Sequence, residues 1–550
     1  MFRNSLTFGL LFLVSWGYCQ NAPGYYYVEF QDKVGTPFSI QYPQAFLSQK
    51  AIQKRLNKKI PITEQDLPVN PSYIEQVLLA TGGILHHQSK WMNSMTLNLT
   101  GLDSAQLIQA LDTLQNLPFV SQVKCTAIGC SRPSSIQKGL SFEKGLMDPD
   151  SAVYGVSFHQ LDMINTPRLH EFGLTGKGID IAQLDAGWIG LESIHAFDKL
   201  FANDQIRLMR DFVNPQQPNI YQGSYHGTFV LGHMAGEVQD SLKGSAPMAH
   251  YYLMKTENAA TEFRIEEDNW VAAIELCDSL GIDVVNSSLG YSIFDDSTMN
   301  YTQADMNGDV SRASIAADIA AAKGILIVNS AGNSGNSDWY NITAPSDADS
   351  ILCIGAVDFK GEHAGFSSYG LAGTEAVKPN VSAMGQSTYF PGTNGYMAQG
   401  SGTSFSSPII AGSVACLWQA FPEKTNMEII RAVEQSASLF PSHNTALGYG
   451  IPDFWKAYLL LNTSTTLPNR LIEMIFPNPA EDVLHLKTTG SPIYAYEIIN
   501  MSGQKVERME WEVAWTQNYL DISVSALTAG EYLLKIETAE GSLCTPFQKR

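Results

Sequence analysis

The chain has 550 residues, 44% of them apolar, and a formal net charge of −20. That length exceeds one ordinary domain and calls for about two to four. The acidic balance excludes a phosphate backbone as the main partner, so no nucleic-acid binding is expected, and it fits a soluble extracellular protein.

At the N-terminus, Arg3 supplies a short positive region, and 6–16 is an apolar stretch too short to span a bilayer. Small Gly17 stands shortly before a cut between Cys19 and Gln20, the pattern of a secretory signal peptide over 1–19. Cys19 also admits a lipoprotein reading, which the bulky Tyr18 before it disfavours. No later segment reaches the roughly 18 uninterrupted apolar residues of a membrane helix, so no transmembrane span is expected. The seven cysteines are too sparse for a disulfide scaffold or a zinc site. Cys277, Cys353 and Cys416 sit in apolar runs and read as buried thiols, while Cys125 and Cys130 are close enough in sequence to pair.

Residues 20–145 read as a first unit. Strand patterns fall at 25–30, 84–89, 95–99 and 119–123, and helical spacing at 45–56 and 103–114. The order β-α-β-β-α-β predicts a small ferredoxin-like α+β unit. His86 and His87 are adjacent, without ligand spacing, and read as surface or strand histidines. A polar linker follows over 131–151.

From 150 to 462 short apolar runs alternate with helical stretches. The runs are 178–184, 250–255, 283–287, 325–329 and 351–357; helices are predicted at 228–235, 270–280 and 314–323. Such alternation predicts an α/β fold, a parallel sheet with helices on both faces. Functional groups in these sheets gather beyond the C-terminal strand ends. After a hinge at 468–470, residues 470–550 show strand patterns at 483–487, 494–500, 520–524 and 532–538, with turns at Ser502-Gly503, Ala529-Gly530 and Glu540-Gly541. This predicts an antiparallel β-sandwich. Trp511 and Trp515 read as packing residues, not a ligand platform.

Four stretches carry chemistry. Gly402-Thr403-Ser404 follows a Gly-rich approach (Gly392, Gly395, Gly400) and opens the apolar helix 409–420. A serine there has first-turn N–H groups beside it that can hold an oxyanion. Pro408 is expected to cost little, on the reading that it lies in the first turn. His226, in Tyr225-His226-Gly227-Thr228, stands at another helix start, where an imidazole is held rigidly as a base. Its neighbour His233 reads as a packed histidine. Asp185 ends the run 179–184, where a carboxylate can meet an imidazole N–H. Asn333, within Ser330-Ala331-Gly332-Asn333, offers an amide to a developing oxyanion. Ser288-Leu289-Gly290 reads as a strand edge that pairs with an extended peptide. Taken singly, each has a plain structural reading: a capped core helix, a turn Asp before glycine, a Gly/Asn turn.

In the order Asp185, His226, Asn333, Ser404 they stand differently. The chain here resembles the subtilisin-like serine peptidases, over about 155–461, through D-x-G, H-G-T-x-V-x-G, S-L-G, A-G-N and G-T-S-x-x-x-P in family order. The resemblance implies Asp185, His226 and Ser404 as a catalytic triad and Asn333 as an oxyanion donor. It implies substrate contacts at Ser288, Leu289, Gly290, Ala331 and Gly332. Ala186 departs from the Thr or Ser usual after the Asp and removes a local hydroxyl. Phe405 replaces the commoner Met.

The first unit is similar to the propeptides of these enzymes, which assist folding and block the cleft. Pro477-Asn478-Pro479, Ser502-Gly503-Gln504, the 527–532 segment and the basic end Lys549-Arg550 resemble the sorting domain of the type IX secretion system of Bacteroidetes. The implied protein is a secreted or surface serine endopeptidase, exported through the periplasm. Its expected partners are a polypeptide substrate, its own propeptide as inhibitor and the secretion machinery. No cofactor is required for the chemistry. Structural calcium fits the resemblance; Asp305-Met306-Asn307-Gly308-Asp309 alternates oxygen donors but reads better as a solvated turn, and no metal ligands are assigned. The rival reading is a catalytically inactive surface binding protein on the same scaffold.

Overall fold

The computed structural model describes residues 24–128, 153–371, 376–393, 396–463, 472–488, 492–500, 504–516, 519–538 and 541–550. The signal peptide, Cys130, the linker 131–151, Gly395, the hinge 468–470 and the Ser502-Gly503 turn lie outside them, as does Glu540. The chain divides into two units, 1–453 and 454–550.

The first unit opens with a four-stranded antiparallel sheet. Its spatial order is Ile84–Ser89, Ser94–Asn98, Gly24–Phe30, Val120–Ile128. Helices Pro71–Thr81 and Ser104–Asn116 pack side by side, and Val77, Leu107, Leu111 and Leu114 join the sheet's Tyr26, Val28 and Leu97 in one buried cluster. The helix read at 45–56 lies at Gln49–Lys58, and it turns toward the next part of the chain. The sequence reading missed Pro71–Thr81. Its start carries a legible signal, since the Asn70 side chain accepts from the Ser72 N–H at 3.0 Å and Pro71 stands at the first helical position.

Beyond it lies a seven-stranded parallel sheet. Its strands in chain order are β1 (Asp180–Asp185), β2 (Ile206–Asp211), β3 (His250–Lys255), β4 (Val284–Ser287), β5 (Leu326–Ser330), β6 (Leu352–Val357) and β7 (Val381–Met384). They lie in the order β7-β6-β5-β4-β1-β3-β2. Every residue of β1, β4, β5, β6 and β7 is buried, as expected of strands covered on both faces. The order reverses on either side of β1, whose neighbours are β4 and β3. A parallel sheet opens a crevice beyond its strand ends at such a point.

Four helices cover the faces of this sheet around β1 and β4: α1 (His226–Ala235), α2 (Ile265–Leu280), α3 (Arg312–Ala322) and α4 (Thr403–Ala420). Side chains alternate across a strand. Ala182 and Leu184 of β1, Val285 of β4 and Ile327 of β5 join the buried cluster of α2 and α3. Gln183 and Asp185, one step out of phase, therefore face the opposite side. That side belongs to α1 and α4, as the Ser407 Oγ bond to Asn286 Oδ1 of β4, at 2.9 Å, shows. In α4, Ile409, Ile410, Val414 and Leu417 are fully buried. Each such side chain contributes roughly 1.5–3 kcal/mol of transfer free energy, which anchors the helix start.

The second unit begins with helix Phe454–Thr463. Two antiparallel sheets follow. One orders Ile472–Phe476, Val483–Thr488 and Tyr519–Ser523; the other orders Lys505–Trp515, Ile493–Asn500, Gly530–Thr538 and Gly541–Lys549. Leu484, Leu486 and Ile522 of the first meet Ile498, Leu534 and Ile536 of the second in one core, a β-sandwich. Trp511 and Trp515 pack against that core, 5.9 Å apart.

Candidate active site

β1 ends on Asp185, which is fully buried. Its Oδ1 accepts from His226 Nδ1 at 2.8 Å and from the Ala186 N–H at 2.7 Å. Its Oδ2 accepts from Gln183 Nε2 at 3.2 Å. With Nδ1 carrying the proton toward the carboxylate, Nε2 is the basic nitrogen of the ring.

His226 opens α1 and is one-third exposed. Gly227 beside it is required by close approach. A Cβ there would meet the Gly187 carbonyl at 2.5 Å and the Trp188 ring at 2.9 Å. Gly187 itself has φ +136°, a conformation L side chains rarely adopt. Two glycines thus let the strand end and the helix start close on each other, and the Gly227 N–H reaches Gly187 O at 3.1 Å.

Ser404 is the second residue of α4 and is half-buried. Its Oγ donates to the Ser288 carbonyl at 3.4 Å, and Ser288 Oγ donates back to the Ser404 carbonyl at 3.0 Å. Phe405, next in sequence, packs its ring 6.3 Å from the His226 ring, 4.9 Å from that of His233 and 5.0 Å from that of Phe390. The Phe in place of Met is thus a packing group. His233 is buried, with Nδ1 2.9 Å from Phe229 O and Nε2 3.2 Å from Thr388 Oγ1.

One sequence expectation is corrected. Pro408 is not in the first turn: α4 starts at Thr403, which puts the proline in the second. There a residue normally donates its N–H to the carbonyl four residues back, that of Ser404. Proline has no N–H to give, and the Ser288 hydroxyl supplies the bond instead.

Asn333 follows β5. Its Oδ1 accepts from the Thr403 N–H at 2.8 Å and from Thr403 Oγ1 at 3.0 Å. A backbone N–H can only donate, so the atom facing it is the oxygen and the NH₂ is the opposite end of the amide. Thr403, which the sequence reading passed over, thereby orients Asn333. The Thr403 N–H is spent on Asn333 and the Phe405 N–H on Gly402 O, with the Ser404 N–H between them at the helix start.

Of the residues expected from sequence to contact substrate, Ser288 is buried, Leu289 half-buried and Gly290 exposed. Ala331 donates its N–H to Ile354 O. The Gly332 N–H goes to Thr403 Oγ1 and its carbonyl accepts from Ser368 N. These backbone groups serve the fold around Asn333.

Two acidic places bring several oxygens together. In the 305–309 segment, Asp305 accepts from Thr302 N and Oγ1, each at 2.7 Å, and Asn307 Oδ1 accepts from the Asp309 N–H at 3.0 Å. Those oxygens hold a local turn. Among the described residues, Glu257, Glu262 and Glu266 each bring one oxygen within 4.8 Å of the others. Burial pushes Glu257 up to about 7, and Tyr291 donates to it at 2.7 Å.

The propeptide-like sheet docks on α2 and α3. Glu275 of α2 accepts from Ser89 Oγ at 2.5 Å and from the backbone N–H groups of Lys90 and Trp91 at 2.8 and 3.0 Å. Asp278 holds Arg55 and Lys90 at 2.6 and 2.7 Å. Asp66 is raised by burial but pulled down to about 2 by Arg55, the Thr63 N–H and Lys323 of the α3 end. His86 and His87 are strand histidines, in Ile84–Ser89, and both face Asn269 of α2, at 3.2 and 3.0 Å.

A parallel sheet with an acid–imidazole pair at the end of β1 and a serine at the start of α4 fits a serine hydrolase. Comparison with known proteins makes the assignment specific. The model of the peptidase S8 subtilase family matches residues 173–450. The Bacteroidota S8 propeptide domain matches 25–138, and the secretion system C-terminal sorting domain matches 474–547. Subtilisin BL of Lederbergia lenta is 32% identical over 286 residues, which is 52% of this chain and 92% of that protein. Subtilisin Savinase of the same organism is 31% identical over the same shares. A solved structure, "Structure of Prenylagaramide maturation protease PagA", is 21% identical with a TM-score of 0.42, over 53% of this chain and 96% of that one. The chain belongs to the subtilase family. It is a secreted serine peptidase with an N-terminal propeptide domain and a C-terminal type IX sorting domain, exported to the medium or the cell surface.

Proposed function

We propose that the protein is a serine endopeptidase that cleaves polypeptides through an acyl-enzyme. The observation that carries this is the 2.8 Å contact of His226 Nδ1 with buried Asp185, while Ser404 bonds to Ser288 just past the end of the neighbouring strand β4. Ser404 Oγ attacks the peptide carbonyl while His226 Nε2 takes its proton and later returns it to the leaving amine. Asp185 fixes the tautomer and stabilises the imidazolium. The Asn333 NH₂ and the Ser404 N–H receive the oxyanion. The backbone at Ser288, Leu289 and Gly290 pairs with the extended substrate, with Ala331 and Gly332 on the opposite wall.

In this reading the docked N-terminal unit is the enzyme's own inhibitor, removed on maturation, and the C-terminal unit is the address read by the export machinery. The catalytic step needs no cofactor; any calcium would be structural. Asp185, His226, Asn333 and Ser404 are all present in the sequence, which speaks against an inactive scaffold. The test is turnover of casein by the processed enzyme. Ser404→Ala is expected to lose about 10⁶-fold in kcat, the scale of nucleophile loss in subtilisins. Undiminished hydrolysis by that variant would remove the mechanism.

A further inference from the structure

We propose that Gln183 is a positioning residue of the catalytic centre, taking over the task of the hydroxyl that Ala186 lacks. The inference rests on the reading of Asp185, His226 and Ser404 given above. Gln183 is fully buried in β1, two residues before Asp185, and so shares its face. A glutamine fully buried between the apolar residues Ala182 and Leu184 is costly unless its amide is used.

It is fully used. Trp188 Nε1 donates to Gln183 Oε1 at 3.4 Å. An indole N–H can only donate, so the oxygen end of the amide is turned to the tryptophan and the NH₂ end away from it. That NH₂ donates twice: to Asp185 Oδ2 at 3.2 Å and to the carbonyl of Gly227 at 2.8 Å. The first bond engages the carboxylate oxygen that His226 does not use. The second grips the residue immediately after His226. One planar amide therefore ties the acid and the helix start that carries the base to each other. Asp185 Oδ1 is already shared by His226 Nδ1 and the Ala186 N–H. Without Gln183, the Oδ2 side of a fully buried carboxylate loses the donor that sets its plane. An alanine at 186 cannot replace it, while a serine or threonine could.

The test uses the full secreted enzyme and a peptide substrate. Gln183→Leu should lower kcat about 10- to 100-fold, the effect of stripping a donor from a buried charged group, with KM changed less than about twofold. Adding Ala186→Ser should restore most of that loss. A serine at 186 can serve Asp185 but not Gly227 or Trp188, so purely structural damage would not be rescued. Should Gln183→Leu fail to accumulate, Gln183→Asn is measured with and without Ala186→Ser in the same way. Full turnover in Gln183→Leu, or a loss that Ala186→Ser leaves in place, overturns the proposal. Ser404→Ala in the same series separates the two levels. Activity surviving in it removes the triad reading itself, whereas an inactive Ser404→Ala beside a fully active Gln183→Leu removes only the role of Gln183.

Discussion

Pro408 and Ser404 are linked by a hydrogen bond that cannot form. Four residues apart in α4, they would pair N–H to carbonyl if residue 408 were anything but proline. The freed Ser404 carbonyl is taken by Ser288 Oγ at 3.0 Å, and Ser404 Oγ points to the Ser288 carbonyl at 3.4 Å. The helix that carries the serine is thus locked to the end of β4. Ser288→Ala should cost about 1 kcal/mol, the net worth of a hydrogen bond to a half-buried carbonyl. Chemical denaturation of the processed enzyme measures it. Pro408→Ala supplies the missing N–H, so the double variant should lose less than Ser288→Ala alone; equal losses would contradict this link.

Asn333 and Thr403 form a second such pair. If the Asn333 amide serves the oxyanion, Asn333→Ala should lower kcat about 10²- to 10³-fold with little change in KM. Thr403→Val keeps the backbone N–H to Asn333 Oδ1 but removes the 3.0 Å hydroxyl bond, and with it the acceptor of the Gly332 N–H at 3.2 Å. Its loss in kcat should be smaller. A change seated mainly in KM would place Asn333 in ground-state binding instead.

Docking of the N-terminal unit depends on Glu275. One carboxylate there accepts three bonds from Ser89, Lys90 and Trp91. Glu275→Ala orphans two backbone N–H groups and a hydroxyl in the docked state. Inhibition of the processed enzyme by its propeptide should weaken by about 10-fold or more, while peptide turnover by the free enzyme stays unchanged. An unaltered inhibition constant would count against this interface.

The same interface should respond to acid. Burial against α2 holds His86 down to about 4, and burial together with neighbouring His86 holds His87, which packs on Phe212, down to about 3, from an ordinary 6.5. Asp211 pulls His86 up slightly and Arg210 pushes His87 further down; Tyr25 and Asn269 complete the surroundings. For a base whose value is depressed on docking, binding is at full strength above about 6.5 and is lost as pH falls through 6.5 toward 4. Inhibition by the propeptide should therefore weaken between about pH 7 and pH 5, and His86→Gln with His87→Gln should flatten the profile. A propeptide that binds equally well across that range would refute this.

Much of the fold was legible because periodicity reports burial. The strand runs at 178–184, 283–287 and 351–357 became β1, β4 and β6 with shifts of a residue or two. Strands β2 and β7 were missed. β2 lies at a sheet edge and its apolar run is broken by Arg207, Arg210 and Asp211 without a period of two, and β7 spans four residues. In the C-terminal unit, Lys505–Trp515 escaped notice because its exposed face is dense in charge. For the site, motifs name the candidates Asp185, His226, Asn333 and Ser404, but not the residues that hold them. Gln183 looks like an anomaly in an apolar strand until the period of two places it beside Asp185. Thr403 sits inside a motif read only for its serine. Pro408 was misread by one helical turn, because the helix start could not be fixed from sequence.

The most direct measurement is labelling of the processed enzyme with a fluorophosphonate, followed by mass spectrometry of its peptides. The expected result is one stoichiometric adduct on Ser404, formed in step with loss of peptidase activity and absent from Ser404→Ala and His226→Ala. An adduct on a different serine, or hydrolysis that continues while Ser404 is fully modified, would contradict the triad.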